Sequence, residues 1–220
     1  MSLQEILSEN HKSINVDLFS YDGKKIHNYQ SNILDKTKPH LITDKFYCHS
    51  YIPVYDEVFS EFKDKEINLL EIGILHGGSL NLWDKYFSRA NIYGMELEPI
   101  DDWLVNHEKI KVLQTDAYSL QGLTAFNNIN YDIIIDDGPH TKETMCYFAK
   151  HYINKLNKNG LLIIEDIPTL VNIPKDRKYN TWIPEILSNI PKNINVAYKI
   201  FDLRLKSNRS DDVMLVIKLL

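Results

Sequence analysis

The 220 residues carry 44% hydrophobic and 25% charged side chains with a formal net charge of -5, a composition that fits one globular domain and leaves little room for a second. The negative balance argues against a concentrated basic surface, so nucleic acid is not expected as a partner; no apolar run approaches the roughly 20 residues of a membrane span, so no membrane segment is expected either. The first ten residues, with Glu5 and Glu9, lack the basic-then-apolar layout of a secretory leader, and Cys48 and Cys146 show no metal-like spacing, so a cytoplasmic chain with reduced thiols is expected.

In chain order, residues 1–45 read as an N-terminal extension: a short helix, a polar stretch around Tyr21-Asp22-Gly23, and a loop with Lys36 and Pro39. Residues 46–220 read as the main domain. Tyr51, Tyr55, Val58 and Phe59 recur at helical spacing, with Pro53 acceptable in the first turn, so a helix is expected over 51–62. Apolar runs then alternate with helical patterns: strands over 67–74, 91–97, 110–116 and 131–137, a helix over 140–156, and a strand over 160–167 with Gly160 at the helix stop. The strands are almost continuously apolar, which signals a parallel sheet covered by helices on both faces.

The last two apolar runs, 196–205 and 213–220, are joined by a polar turn too short for a parallel crossover and must pair antiparallel. The expected fold is α/β: a Rossmann-like, mostly parallel seven-stranded sheet ending in a C-terminal antiparallel hairpin. Such a hairpin is the class I methyltransferase variation on the doubly wound fold, whereas nicotinamide dehydrogenases typically finish with parallel strands. Lys206 and Arg209 in the turn either hold one anionic group or are solvated turn residues.

The segment 69–79 is an apolar strand running into a Gly-rich turn and a helix, and its Gly73, Gly77 and Gly78 let a ligand approach the backbone. Glu71, Gly73, Gly77 and Ser79 are therefore candidate contacts for S-adenosylmethionine. Glu96 ends the second strand 23 residues after Gly73, where an acid can bind both ribose hydroxyls; the alternative is an ordinary exposed acid beside Glu98. Asp116 either receives the adenine amino group or caps the following helix.

The fourth and fifth strands both end in acids, Asp136-Asp137-Gly138-Pro139-His140 and Glu165-Asp166. Carboxylates gathered at adjacent strand ends repel one another unless a cation or protons neutralise them, which points to an oxygen-ligated divalent metal, magnesium being the simplest; the alternative is that each acid serves as a cap or loop acceptor. Glu165 and Asp166 face opposite ways on a regular strand, so both can ligate only where the strand has ended.

These motifs, with Thr43-Asp44-Lys45, His49-Ser50-Tyr51 and Arg209-Ser210-Asp211-Asp212, carry a resemblance over roughly residues 43–220. The chain resembles the metal-dependent sugar O-methyltransferases, the mycinamicin and rhamnosyl group within the wider cephalosporin hydroxylase-like family. The resemblance implies that Asp137, Glu165 and Asp166 hold Mg2+, that His140 is the general base with Asp137 beside it in the catalytic centre, and that Asp136 lies on the cofactor side. It implies a small-molecule acceptor, a sugar or nucleotide sugar, and a possible homo-oligomer in which residues 1–45 form a lid or an interface. The family's glycine after the TDK triplet is replaced here by Phe46. The polar stretch 168–182 follows the acids and shapes the acceptor side, with Tyr179 and Trp182 available to stack on a sugar or to pack on the domain. Three other readings compete: a methyltransferase of a non-sugar small molecule, a non-catalytic nucleoside-binding subunit, and an iron oxidoreductase, for which His140 alone is one histidine too few.

Overall fold

The structure, a computed structural model, describes residues 1–14, 39–47, 49–168, 182–207 and 209–220. In chain order it contains α1 (Leu3–Ile14), α2 (Asp44–Tyr47), α3 (Ile52–Phe59), β1 (Ile67–Ile72), α4 (Gly78–Tyr86), β2 (Ala90–Glu96), α5 (Asp102–Val105), β3 (Ile110–Gln114), α6 (Leu120–Leu123), β4 (Tyr131–Asp136), α7 (Lys142–Tyr152), β5 (Leu156–Ile164), α8 (Ile183–Ser188), β6 (Val196–Asp202), α9 (Arg204–Ser207) and β7 (Val213–Leu219). The seven strands form one sheet in the order β3-β2-β1-β4-β5-β7-β6. Pairing is parallel from β3 to β5, and β7 runs antiparallel to both β5 and β6. The expected mostly parallel sheet with its closing hairpin is therefore present. No described helix is long and apolar enough to cross a membrane.

Element boundaries depart from the sequence reading where the backbone does something irregular. The first strand ends at Ile72 rather than 74, because Gly73 turns at φ +79 and its N–H donates to the Met95 carbonyl at 2.9 Å. The helix expected over 51–62 ends at Phe59. Gly160 does not stop a helix: α7 ends at Tyr152, a 3-10 turn covers Ile153–Lys155, and β5 has begun by Leu156. Between the pairs Tyr131↔Leu156 and Ile133↔Leu161 the register shifts, and Asn159 there adopts φ +66. The chain after β6 winds into α9 where an extended strand was expected.

Successive strand residues point to opposite faces, and in the central strands both faces are buried, whereas the edge strands β3 and β6 are largely exposed. On one, Leu69, Ile133 and Ile163 pack with Tyr55, Phe59 and Trp83; on the other, Leu70, Ile134 and Leu162 pack with Phe148, Tyr152 and Ile186. Leu3, Ile6 and Leu7 of α1, at i, i+3 and i+4, are 0%, 1% and 0% exposed within the first of these clusters. Each such side chain contributes about 1.5–3 kcal/mol on burial, against about 0–1 kcal/mol for a surface ion pair. Apolar packing therefore fixes α1, and the described start of the N-terminal extension is part of the domain core.

Candidate active site

The carboxyl ends of β1 to β4 open onto a cleft of about 570 Å³, the position at which open α/β sheets bind ligands. Its walls are the turn after β1 with the start of α4, the ends of β2 and β3, residues 137–140 after β4, and Ile42, Thr43 and Asp44 leading into α2. Two glycines make this closeness possible. A Cβ on Gly73 would lie 2.0 Å from the Asp137 carbonyl oxygen, and one on Gly78 would lie 1.8 Å from that of Ile42. The first lets the turns after β1 and β4 touch; the second lets the segment before α2 cross the start of α4.

On the nucleoside side, Gly73, Ser79, Glu96 and Asp116 all line the cleft. Gly77, at φ +75, shapes the turn as the residue before α4 without lining the cleft. Glu96 Oε2 accepts from the N–H groups of Ile74 (2.9 Å) and Leu75 (2.7 Å), and its Oε1 from those of Leu97 (2.8 Å) and Glu98 (3.2 Å). The carboxylate thus binds the Gly-rich turn to the end of β2. Asp116 Oδ1 accepts from Tyr118 N–H at 2.9 Å, while the cap of α6 is Ser119, which accepts from Gly122 N–H; Asp116 is not the helix cap. His76, also at the wall, has its Nδ1 3.1 Å from Asp101 Oδ2.

Two candidate cofactor contacts lie behind the wall instead. Glu71 is 0% exposed; its Oε2 accepts from Trp83 Nε1 at 2.7 Å and its Oε1 lies 3.2 Å from Lys45 Nζ. It shares the strand face of Leu69, under α4, and so does not reach the cleft. Asp136 is buried, accepts from Tyr118 OH and leaves its Oδ2 without a hydrogen-bond partner. Burial pushes its pKa up to about 6, against the pull of the Tyr118 hydroxyl and the Gly138 N–H.

The acceptor side is an acid cluster held by side chains from distant segments. β5 ends at Ile164 and Asp166 turns at φ +50, so the strand has ended before the acid pair. Asp137 Oδ1 and Asp166 Oδ2 lie 3.9 and 3.5 Å from His140 Nε2, at the lip of the cleft. Donor atoms of Asp137, His140 and Asp166 fall within 4.8 Å of one another, a set compatible with a divalent cation. Glu165 is not in that set. Its Oε1 accepts from Tyr55 OH and its Oε2 lies 2.8 Å from Lys45 Nζ, which also lies 2.6 Å from Asp137 Oδ2.

Burial raises the pKa of Asp137 and of Asp166, opposed by Lys45 for the first and by His49 and His140 for the second. Burial pulls the Lys45 ammonium down, but Asp137, Glu165 and Glu71 outweigh it and hold it well above the usual lysine range. Burial also lowers His140, which leaves a neutral imidazole near pH 7. Asp166 Oδ1 accepts from Tyr51 OH at 2.5 Å and lies 3.2 Å from His49 Nδ1, which sits 3.1 Å from Asp212 Oδ1.

No role was assigned from the sequence to Lys45, His49, Tyr51, Tyr55, Tyr118 or Asp212. Their partners lie far away in sequence, Lys45 pairing with Glu165 across 120 residues and His49 with Asp212 across 163, so no local spacing reveals them; for Lys45, His49, Tyr51 and Asp212 the resemblance was the only signal. Arg209 pairs with Asp211 at 2.8 Å, as a turn residue does. Trp182 packs against the second core cluster. Tyr179, Cys48 and most of 168–182 lie outside the described residues, and Cys146 is a free, half-buried thiol.

No family model matches the chain. Curated relatives include the 8-demethyl-8-alpha-L-rhamnosyl tetracenomycin-C 2'-O-methyltransferase of Streptomyces olivaceus, 31% identical over 58% of this chain and 35% of its own length. The mycinamicin VI 2''-O-methyltransferase of Micromonospora griseorubida is 30% identical over 62% of this chain and 36% of its own. The chain's homologues are thus sugar O-methyltransferases, and it spans about a third of their length. Among solved structures, the MycE methyltransferase in complex with Mg, SAH and mycinamycin VI is 32% identical with a TM-score of 0.51, covering 56% of this chain and 36% of that one. A fibrillarin of Aeropyrum pernix with bound S-adenosyl-L-methionine, 14% identical over 70% of this chain and 67% of its own with a TM-score of 0.54, shares the fold alone.

Proposed function

We propose that the chain is a magnesium-dependent O-methyltransferase that moves the methyl group of S-adenosylmethionine onto a sugar hydroxyl of a small acceptor, a nucleotide sugar or the terminal sugar of a glycan or glycoside. The observation that carries this reading is the convergence of Asp137, His140 and Asp166 at the lip of a cleft walled by a Gly-rich turn. The MycE complexes with Mg and SAH support both cofactors.

In this reading Gly73, Ser79, Glu96 and Asp116 receive the cofactor, and Asp137 and Asp166, joined by Glu165 from its contact with Lys45, would hold the metal, His140 being kept for the proton. A divalent cation held there would supply Lewis-acid polarisation. His140 takes the hydroxyl proton on Nε2 as the oxygen attacks the sulfonium methyl; the sulfur–methyl bond breaks and S-adenosylhomocysteine leaves. Asp166, 3.5 Å from that nitrogen, offsets the imidazolium charge. Burial keeps His140 deprotonated before the step, and the remaining contribution is alignment of the two reactants.

Calorimetric titration with S-adenosylhomocysteine, with and without Mg2+ and then with a panel of nucleotide sugars and glycosides, tests the assignment. Micromolar binding with a metal-dependent response to one sugar is expected. Absence of cofactor binding under every condition would overturn the methyltransferase reading.

A further inference from the structure

Lys45 is fully buried, although it belongs to the short segment around α2 and to no strand or long helix. Its ammonium lies 2.6 Å from Asp137 Oδ2, 2.8 Å from Glu165 Oε2 and 3.2 Å from Glu71 Oε1. Asp137 and Glu165 are two of the three carboxylates assigned above to the metal. Oxygens at 2.6–2.8 Å from an ammonium are engaged in charge-assisted hydrogen bonds, and a Mg2+ ligand oxygen must approach the ion to about 2.0–2.1 Å in near-octahedral geometry. Two cations a few ångströms apart in a buried site also repel strongly, since little water screens them.

We propose that Lys45 is an internal counter-cation that competes with the divalent metal for Asp137 and Glu165, and that metal binding displaces it together with the segment that carries it. The inference rests on the metal reading of the site. Displacement has a route into the cleft. The Lys45 carbonyl accepts from Tyr51 N–H at 3.3 Å, the Asp44 carbonyl from His49 N–H at 2.9 Å, and Thr43 and Asp44 belong to the cleft wall. Lys45 therefore acts as a positioning residue, linking the state of the metal site to the shape of the cofactor wall.

The competing role for a buried lysine here is a clamp that orients Asp137 for the metal. Losing an orienting partner costs about 10–100-fold in metal affinity, whereas losing a competing charge raises affinity, so the sign of the change separates the two. The experiment is Mn2+ binding to the full chain, read by the electron paramagnetic resonance of free Mn2+, for the wild type, Lys45→Met and Lys45→Arg.

Lys45→Met is expected to bind about tenfold tighter or better and to gain more thermal stability from Mn2+ than the wild type does, while Lys45→Arg stays close to the wild type. Equal or weaker binding by Lys45→Met overturns the competition and leaves the metal site standing. Absence of Mn2+ binding in all three proteins overturns both the competition and the metal reading. Should Lys45→Met not fold even in Mn2+, hydrogen exchange on the wild type decides. Faster exchange at the His49 and Tyr51 amides on adding Mn2+ is expected; unchanged or slower exchange overturns the proposal.

Discussion

Glu96 and Asp166 stand at strand ends around the same site, yet they are held by opposite means. Among the described residues Glu96 accepts only from backbone N–H groups, of residues 74, 75, 97 and 98, all in or beside the β1–β2 unit. Asp166 is held by side chains, Tyr51 from 115 residues earlier, with His49 and His140 beside it. The Glu96 anchor is thus built by local main chain, from the turn after β1 and the end of β2. The acceptor side exists only when several distant segments have docked, and it is where buried charge, and with it reactivity, collects.

That contrast can be broken by substitution. The largest effect is expected on the acceptor side: His140→Ala should lower kcat by about 10²–10⁴-fold while calorimetry shows S-adenosylhomocysteine binding unchanged, and a near-normal rate would remove His140 as the base. Wild-type turnover should likewise collapse in a chelator and return with added Mg2+; chelator-insensitive turnover would rule out the metal. On the nucleoside side, Glu96→Gln removes the charge and turns one acceptor oxygen into a donor facing backbone N–H groups, and should weaken cofactor binding by about tenfold or more, hydrogen bonds to a charged group being worth about 1.5–3 kcal/mol. Its kcat at saturating cofactor should stay close to normal, and a large fall in kcat with intact binding would erase the division between the two sides.

Tyr118→Phe should cost about 1–3 kcal/mol of stability, more at pH 8 than at pH 5. Asp136 has a folded pKa of about 6 against 3.8 for its ordinary value, so the folded chain binds the extra proton and stability falls as pH rises through that interval. Without the hydroxyl donor the folded pKa climbs further and the fall extends to higher pH; equal losses at the two pH values in urea melts would show that the hydroxyl does not act on the charged acid. The smallest effect is on the pH–rate profile. Burial lowers the His140 pKa below 6.5, so kcat/KM should drop only as pH falls through a value under 6.5 and stay flat above it, and a midpoint above 7 would contradict a buried neutral base.

The same contrast explains what the sequence revealed. The first four strands were legible because each is a dense apolar run, and Gly73 and Glu96 because their spacing is that of one βαβ unit. The start of β5 was hidden because Asn157-Lys158-Asn159 reads as a loop, whereas the chain bulges there without leaving the strand. Glu71 reads as a cofactor contact in the sequence because a strand buried on both faces gives no alternation to say which way its one acid points. Lys45 is marked only by the resemblance that its TDK triplet carries, since no local spacing identifies a lysine buried among carboxylates from β1 and from the turns after β4 and β5.

β7 lies between β5 and β6 although it follows both in the chain. During vectorial synthesis the edge of β5 must therefore wait unpaired, and β6 emerges before the strand that joins it to the sheet, an arrangement that exposes a template for intermolecular pairing. Asp212, the residue immediately before β7, brings His49 its carboxylate partner as that strand docks. Closure of the sheet and completion of the acid cluster are consequently coupled through β7. A chain without β7 would carry the elements of the nucleoside half beside an unfinished acceptor half.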